Sequence, residues 1–214
     1  MPKAFTETEK KQIHQRLLEE GAQRFASYGL RKTNVEELAA AAGISKGAFY
    51  IFFASKETLF MDVVEEAERQ FRLQILDAVD EPGPSPRARL TQVLLRANRL
   101  WREIPVLQFF SQNDYASLAG RMPPESLQEH LASDYAFAAD LIQRCRNSGI
   151  PVQIGPQEFI NLLYMIFFSS MHEQDFAPHS FTAAITTLIE LVAAYCLGEI
   201  ELTDADQLMK ASQL

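Results

Sequence analysis

The amino-acid sequence predicts an all-α protein, and three observations lead to this prediction. No stretch alternates apolar and polar residues over the length that a half-buried strand requires. Apolar residues instead recur every three or four positions, most clearly in the stripe that runs from Leu59 to Val79. Proline and glycine divide the chain into segments of helical length. We therefore expect about nine to ten helices.

The first three predicted helices begin at capping residues. The capping-box pattern Thr6-x-x-Glu9 begins the first helix, and Gly29 ends it because glycine accepts the left-handed backbone of a helix exit. The same pattern, Thr33-x-x-Glu36, is expected to cap a short second helix that ends at Gly43. The third helix is predicted from Ser45, its cap, to about Phe52.

A long fourth helix is predicted from Ser55 to about Asp80. The following segment, 81–86, contains three prolines and cannot continue a helix, because proline lacks the backbone donor and its ring clashes with a preceding carbonyl. Further helices are expected at 87–103, 105–119, 124–147, 157–173 and 181–197, and a short one begins at Thr203.

The chain has 214 residues, of which 47% are hydrophobic, so it can build one sizeable core or two small ones. Its net charge of −8 argues, as an average, against a nucleic-acid-binding protein. The charge is unevenly distributed, however: residues 1–54 carry +2 and residues 55–214 carry −10. We predict a basic head domain over 1–54 and a larger domain over 55–214, with helix 55–80 as the connector.

Two further features indicate a cytoplasmic protein. Cys145 and Cys196 match no metal or redox spacing, and the first residues do not form a signal peptide. The longest strongly apolar run, Phe159 to Phe168, is shorter than the roughly 18 to 20 residues that a membrane span needs. We expect no membrane partner.

The segment from Val35 to Phe52 has the spacing of a helix-turn-helix. Ala39 and Ala42 are small enough for two helices to touch at a steep angle, and Gly43 allows the tight turn. Phe49 lies on the packing side of the second helix. The residues left facing outward are small, basic or hydroxyl-bearing, namely Ser45, Lys46, Gly47, Ala48 and Tyr50.

These residues belong to a longer signature that resembles the DNA-binding region of the tetracycline-repressor (TetR) family of bacterial transcription regulators. The matching string is Thr33-x-Val35-x-x-Leu38-Ala39-x-x-Ala42-Gly43-Ile44-Ser45-x-Gly47-x-x-Tyr50-x-x-Phe53-x-x-Lys56-Glu57-x-Leu59. The resemblance implies a three-helix DNA-binding domain, a fourth helix that joins it to a larger helical domain, and dimerisation and effector binding by that larger domain.

The resemblance also implies which residues contact DNA. Thr33 would lie at the DNA backbone, Lys56 would face a phosphate, and the recognition helix would present Ser45, Lys46, Gly47, Ala48 and Tyr50. Isolated lysines are more often solvated surface charges, and only their place in this signature favours phosphate contacts. Ile51 and Phe52 depart from the family pattern, which often has a polar or basic residue there. Sequence readout is therefore expected to use thymine methyls and DNA shape in part.

The larger domain holds many aromatic residues. They can be ordinary core residues, but the resemblance implies that some enclose a small-molecule effector. The candidate wall residues are Trp101, Phe109, Phe110, Tyr135, Phe137, Leu141, Tyr164, Phe168 and His172. We expect no carboxylate among them, which favours an apolar or aromatic effector over a cationic one.

The helices near 157–173 and 181–197 have wide apolar faces. The faces comprise Phe159, Ile160, Leu163, Tyr164 and Phe167 on one helix and Ile185, Leu188, Ile189, Val192 and Tyr195 on the other. Pairing with a second copy would cover them in a four-helix interface and place two recognition helices about one DNA turn apart. The sequence therefore predicts a homodimeric regulator, most simply a repressor that an effector releases from a palindromic double-stranded DNA operator.

Other function classes have weaker support in the sequence. His172, Glu173, Asp175 and His179 have ligand-type side chains, but Pro178 breaks their helical register, and no metal is predicted. No cysteine has a histidine nearby in the sequence and no glycine-rich loop precedes a helix, so neither an enzyme nor a cofactor is predicted. The alternatives are a helical interaction protein or an enzyme-like metal-binding domain that retains a helix-turn-helix.

Overall fold

The computed structural model describes residues 5–108, 124–177 and 180–201. Those residues form nine α-helices, one short 3-10 helix and no strand, which confirms the all-α prediction. The helices are α1 (Glu7–Lys32), α2 (Val35–Ala41), α3 (Lys46–Phe52), α4 (Lys56–Val79), α5 (Pro86–Glu103), α6 (Pro105–Gln108), α7 (Pro124–Asn147), α8 (Pro156–Ser170) and α9 (Ser180–Cys196), and the 3-10 helix is Glu173–Asp175.

The chain divides into two compact units, and each contains two separate stretches of sequence. The first unit comprises Met1–Gln74 and Arg99–Ala132, and the second comprises Ile75–Asn98 and Ser133–Leu214. Helix α4 therefore contributes most of its length to the first unit and its last residues to the second. The functional division at residue 54 stays a prediction.

The core of the first unit is built by the apolar faces of its helices. The fully buried side chains here include Leu17, Phe25, Leu38, Phe49 and Leu59. Helices α1 and α4 approach closely at Gly21, where an added Cβ would lie 3.2 Å from Val63 Cγ2. Such a short separation leaves no room for a side chain unless a neighbour moves, so Gly21 sets how near the two helices lie.

The start of α1 agrees with the sequence, whereas its end and the start of α2 differ. The predicted capping box is present, with the Thr6 Oγ1 accepting from Glu9 N–H and the Glu9 carboxylate accepting from Thr6 N–H. Gly29 adopts φ 72° and ψ 169°, and the chain then makes one further helical turn to Lys32. The predicted cap Thr33 is wrong, because Asn34 Oδ1 accepts from Glu37 N–H and is the N-cap of α2.

In the second unit, Arg89 secures the turn that follows α4. Its guanidinium donates to the carbonyls of Val79, Glu81 and Ser148, at 2.9, 3.2 and 2.7 Å. The Val79 and Glu81 carbonyls lie where the proline segment interrupts the chain, and the Ser148 carbonyl follows α7, so these bonds satisfy acceptors beyond the ends of two helices. The segment that the sequence predicts to be non-helical is therefore a fixed turn within the unit.

The later helices match the predictions in number and order within the described residues. Helix α8 ends at Ser170 rather than at 173, because Met171 and His172 N–H groups bond to the carbonyls of Phe168 and Ser169 in a tighter turn. The predicted helix 105–119 is described only to Gln108, and the helix predicted from Thr203 lies outside the described residues. None of the described helices combines the length and the apolar character that crossing a membrane requires.

Candidate nucleic-acid interface

Helices α2 and α3 form the helix-turn-helix that the sequence predicts. Ala39 and Ala42 are buried, and Gly43 turns the chain with φ 75°, a left-handed conformation that side chains resist. The turn is closed by hydrogen bonds from Gly43 N–H to the Ala40 carbonyl, at 3.0 Å, and from Ile44 N–H to the Ala39 carbonyl, at 2.9 Å. Small residues at the contact and glycine at the turn therefore have the roles expected of them.

Helix α3 has one buried side and one exposed side. Phe49 is fully buried and packs against Phe53, with ring centroids 5.9 Å apart. Lys46, Tyr50 and Ile51 are exposed on the same short helix. This surface offers a cation, a phenol and a large aliphatic side chain together, which suits phosphate contacts and contacts to thymine methyls.

Two smaller residues complete the start of α3. The Ser45 Oγ accepts from Ala48 N–H at 3.2 Å, so Ser45 is the N-cap of the helix as predicted. Gly47 is exposed, and an added Cβ there would meet nothing closer than the Ser45 Oγ at 4.0 Å. Packing therefore does not require glycine at this position, and a close approach of DNA there stays a prediction.

The two departures from the family pattern have different surroundings. Phe52 is half-buried and packs against Phe5, with ring centroids 5.9 Å apart. Ile51 is 64% exposed. The aromatic residue at 52 therefore holds the segment before α1 against α3, whereas the aliphatic residue at 51 is presented to the exterior.

Thr33 and Lys56, both predicted to contact the DNA backbone, lie together at the junction of α1, α2 and α4. The buried Thr33 hydroxyl donates to the Gly29 carbonyl at 2.9 Å. The Lys56 Nζ donates to the carbonyls of Leu30 and Thr33, at 2.8 and 2.7 Å, and more weakly to that of Arg31. In this structure both side chains cap the end of α1, and their DNA contacts stay predictions.

Sequence reasoning missed two ion pairs that flank α2. Glu36 pairs with Lys46 on α3, with the Oε1 and Nζ atoms 2.5 Å apart, and Glu37 pairs with Arg24 on α1 at 2.8 Å. The hydrogen bond from Lys46 lowers the pKa of the Glu36 carboxyl, and the same bond raises the pKa of Lys46. Ten residues separate Glu36 from Lys46, so no single-helix spacing rule could have indicated the pair.

The candidate effector residues do not share one environment. Trp101, Phe137 and Leu141 are buried, and Tyr164 is half-buried. Tyr135, Phe168 and His172 are exposed in the single chain. Phe109 and Phe110 lie outside the described residues. An effector cavity formed by these residues stays a prediction.

Within the second unit, polar groups are more prominent near these candidates than the sequence indicates. Asp134 is buried and its carboxylate accepts a hydrogen bond from the Tyr164 hydroxyl. The buried Ser170 hydroxyl donates to Asn98 Oδ1 at 2.6 Å. Asp134 thus places a carboxylate in direct contact with one of the wall candidates, and the expectation that the cavity holds no carboxylate stays a prediction.

The residues that the sequence analysis considered for metal binding or catalysis are the histidine–acid cluster near 172–179 and the two cysteines. His172 Nδ1 and Asp175 Oδ2 are 3.0 Å apart on an exposed turn, and His179 lies outside the described residues. Cys145 and Cys196 are buried thiols, and burial raises their pKa values to about 11 and about 12. Both thiols are therefore protonated at neutral pH and poor nucleophiles.

The apolar faces of α8 and α9 differ from those predicted. Most predicted members are buried within the chain itself, including Phe159, Leu163, Phe167, Ile185 and Ile189. The large apolar side chains that remain exposed on these helices are Met165, Phe168, Leu188 and Leu191. Leu188 is the one residue that was predicted to lie on an exposed face and is exposed among the described residues. Most other members of the predicted faces fill the core of the second unit instead.

Comparison with known sequences places this geometry in a family. The profile described as "Bacterial regulatory proteins, tetR family" matches residues 17–63, which include α2 and α3. The transcriptional regulator RutR of Escherichia coli K12 is 30% identical over 159 residues, covering 72% of this chain and 70% of RutR. An uncharacterized regulator of Bacillus subtilis, YuxN, is 38% identical over 71 residues, covering 33% of this chain and 24% of YuxN. The matches to YuxN and to the B. subtilis regulator YerO thus span a quarter or less of those proteins.

Solved structures share the fold across nearly the whole chain. A crystal structure described as a TetR-family regulator from Mesorhizobium loti has a TM-score of 0.66 and 22% identity, covering 92% of this chain and all of that one. A second, from Pectobacterium atrosepticum, has a TM-score of 0.62 and 19% identity, covering 94% of this chain and all of that one. Sequence identities this low support a shared fold alone. Membership of the family rests on the sequence profile and on the match to RutR. The chain therefore belongs to the TetR family of bacterial regulatory proteins.

Proposed function

We propose that this protein is a homodimeric transcriptional repressor that binds a palindromic DNA operator and leaves it when a small effector binds. The observation that carries the proposal is the division of α3 into two sides. Phe49 fixes the helix from its buried side, while Lys46, Tyr50 and Ile51 are exposed beside the unobstructed Gly47. Cationic and hydroxyl side chains contact the phosphates of DNA, and apolar side chains contact thymine methyls in the major groove. The exposed side of α3 carries all three kinds of group.

The apolar surface on α8 and α9 supports dimerisation. Four large apolar side chains are exposed on two neighbouring helices of the second unit, namely Met165, Phe168, Leu188 and Leu191. Large apolar groups exposed on neighbouring helices favour association, and a two-fold dimer presents its two recognition helices to two half-sites. The half-site centres are then expected roughly 34 to 36 Å apart.

The repressor role and the effector are the finer parts of the proposal. A relative from Mycobacterium sp. GP1 that is named a transcriptional repressor, DhaR, is 32% identical over 78 residues, covering 39% of DhaR. Within the second unit, the buried candidates Phe137 and Leu141 favour an apolar or aromatic effector, and the Asp134 carboxylate beside Tyr164 favours one that also carries a hydrogen-bond donor. Helix α4, which contributes to both compact units, is the element through which we propose that effector binding affects DNA binding.

In vitro selection from random DNA duplexes tests the central claim. The full chain is expected to enrich a palindromic motif, and binding to the enriched duplex is expected to weaken steeply as salt rises, because phosphate contacts release counterions. Tyr50→Ala should weaken binding to the enriched duplex without unfolding the protein. The matched control is Tyr28→Ala, since Tyr28 is also about half exposed or more but lies on α1.

Two results would contradict the proposal. The first is a folded, dimeric protein that enriches no sequence after several rounds of selection. The second is an equal loss of affinity in the Tyr50 and Tyr28 variants, because it would detach DNA binding from the exposed side of α3.

A further inference from the structure

Glu36 is an acidic residue on a surface where the proposed function requires positive charge. It lies in the first turn of α2, and its carboxylate contacts the ammonium of Lys46, the first residue of α3. The side chains of Glu36 and Lys46 are 59% and 54% exposed. Because an exposed ion pair adds little to folding stability, holding α2 against α3 is a weak explanation for this one.

The Glu36 carboxylate neutralises the charge of the one basic side chain that α3 carries. Lys46 is the only lysine or arginine between residues 45 and 52, and Lys56 is engaged with backbone carbonyls. A DNA phosphate that approaches Lys46 must therefore take the place of the Glu36 carboxylate or share the ammonium with it. The carboxylate would also repel the phosphate directly.

We propose that Glu36 competes with DNA phosphate for Lys46 and so weakens binding to non-specific DNA. This inference rests on the proposed function. Non-specific binding consists almost entirely of phosphate contacts, so losing one of them weakens it by a large fraction. On the operator, contacts between α3 and base edges supply affinity that does not depend on Lys46. The operator therefore stays bound under conditions in which other DNA is released.

The neighbouring residue provides a matched control. Glu37 lies on the same turn of α2, is 51% exposed, and forms its own ion pair at 2.8 Å. Its partner is Arg24 on α1, not a residue of α3. Glu36→Gln and Glu37→Gln change the net charge equally and each breaks one exposed ion pair. A difference between them in DNA binding therefore reflects the release of Lys46 or direct repulsion by Glu36, and a second background separates these two causes.

The experiment measures binding of the full chain to a labelled duplex of random sequence between 50 and 200 mM salt, by fluorescence anisotropy. Glu36→Gln is expected to tighten binding roughly three- to tenfold relative to Glu37→Gln near 0.1 M salt, the gain from one additional phosphate contact. The slope of log affinity against log salt concentration should become steeper by about 0.9. A purely structural role for Glu36 would not steepen this slope.

A second background separates competition from simple repulsion. In the presence of Lys46→Gln, Glu36→Gln should give no more than the effect of Glu37→Gln, because no ammonium is left to release. Thermal unfolding of each variant verifies that it is folded at the temperature of the titration.

The outcomes distinguish this inference from the proposed function. If the wild-type chain binds the duplex in a salt-dependent way but the two glutamine variants bind alike, the role of Glu36 is overturned and the proposed function stands. An advantage of Glu36→Gln that persists in the Lys46→Gln background overturns competition for Lys46. If the wild-type chain binds no DNA at 50 mM salt, both are overturned.

Discussion

Among single residues, Gly47 is one whose substitution should change folding stability and DNA binding in opposite directions. It lies in a helix, its added Cβ would meet open space, and its backbone is not among those with positive φ. Gly47→Ala should therefore stabilise the domain by about 0.5 to 1 kcal/mol, because alanine restricts the unfolded chain.

The same substitution should weaken operator binding, because the methyl group keeps the backbone of α3 away from the DNA. Chemical denaturation and anisotropy titration of one protein preparation measure the two effects. A stabilised variant with unchanged affinity would show that the DNA does not approach this position closely.

Lys56 is expected to affect stability first. Its ammonium satisfies carbonyls at the end of α1, and Lys56→Met would leave these partly buried acceptors unpaired. We expect a loss of about 1 to 3 kcal/mol in the free energy of unfolding, measured by urea denaturation. Lys10→Met is the control, since Lys10 pairs with its exposed helical neighbour Glu7 in an i,i+3 contact. An equal, small effect of both substitutions would remove the capping role of Lys56.

The candidate DNA-binding residues show what a residue pattern can predict. The exposure of Ser45, Lys46 and Tyr50 could be predicted because one short helix has one buried and one exposed side, whereas their DNA contacts stay predictions. The environment of Thr33 could not, since Asn34 competes with it for the cap of α2 and both are good capping residues. The partner of Lys46 could not be predicted either, because it comes from another helix.

At the scale of the element, Gly29 determines the kink that precedes the last turn of α1. Its φ of 72° and ψ of 169° lie in a region that residues with a Cβ almost never adopt. Gly29→Ala is therefore expected to destabilise the protein by about 1 to 3 kcal/mol. The control is Gly47→Ala, the same substitution at a glycine with ordinary helical backbone. Its expected change in the free energy of unfolding has the opposite sign. Equal effects in thermal unfolding would contradict a conformational requirement at Gly29.

The helices themselves were largely predictable, and their ends were less so. The stripe on α4 and the capping residues Thr6 and Ser45 are local signals, and the structure contains all of them. The end of α8 depends on a tight turn at Met171 that no proline or glycine marks. The contacts that hold the turn after α4 come from Arg89, which lies on the next helix, so local sequence could not indicate them.

The cysteines at the ends of α7 and α9 are expected to be unreactive in the folded protein. A rise of the pKa of Cys145 from 9.0 to about 11 leaves roughly a hundredfold less thiolate at pH 8, and that of Cys196 rises to about 12. Burial also blocks access to both sulfur atoms. A thiol reagent such as Ellman's should therefore modify neither cysteine in the native state and both in denaturant. Rapid modification of the native protein would contradict the buried positions.

At the scale of the whole molecule, the uneven charge agrees with DNA binding by the N-terminal residues. The excess of +2 over residues 1–54 is small, and the Glu36–Lys46 pair reduces its effect on α3 further. Weak attraction to any DNA favours recognition by placed contacts and by two half-sites at once. The composition of the compact units was not predictable, because each combines stretches that are far apart in the sequence.

Association should therefore control affinity for the operator. Leu191 on α9 is 51% exposed, and a carboxylate in its place would be buried without a partner in a dimer interface. Leu191→Glu should produce a folded monomer in sedimentation at micromolar concentration. Its affinity for a palindromic duplex should fall roughly 10²- to 10⁴-fold, because each half-site is then bound separately.

The control for association is Leu73→Glu on α4, where the side chain is 48% exposed and belongs to the other compact unit. This variant carries the same charge change, so it should remain dimeric and bind the palindrome as the wild type does. A wild-type chain that sediments as a monomer would contradict the dimer outright. If Leu191→Glu and Leu73→Glu both remained dimeric, the interface would have to lie away from the exposed side of α9, and the two recognition helices would have to be paired by another surface.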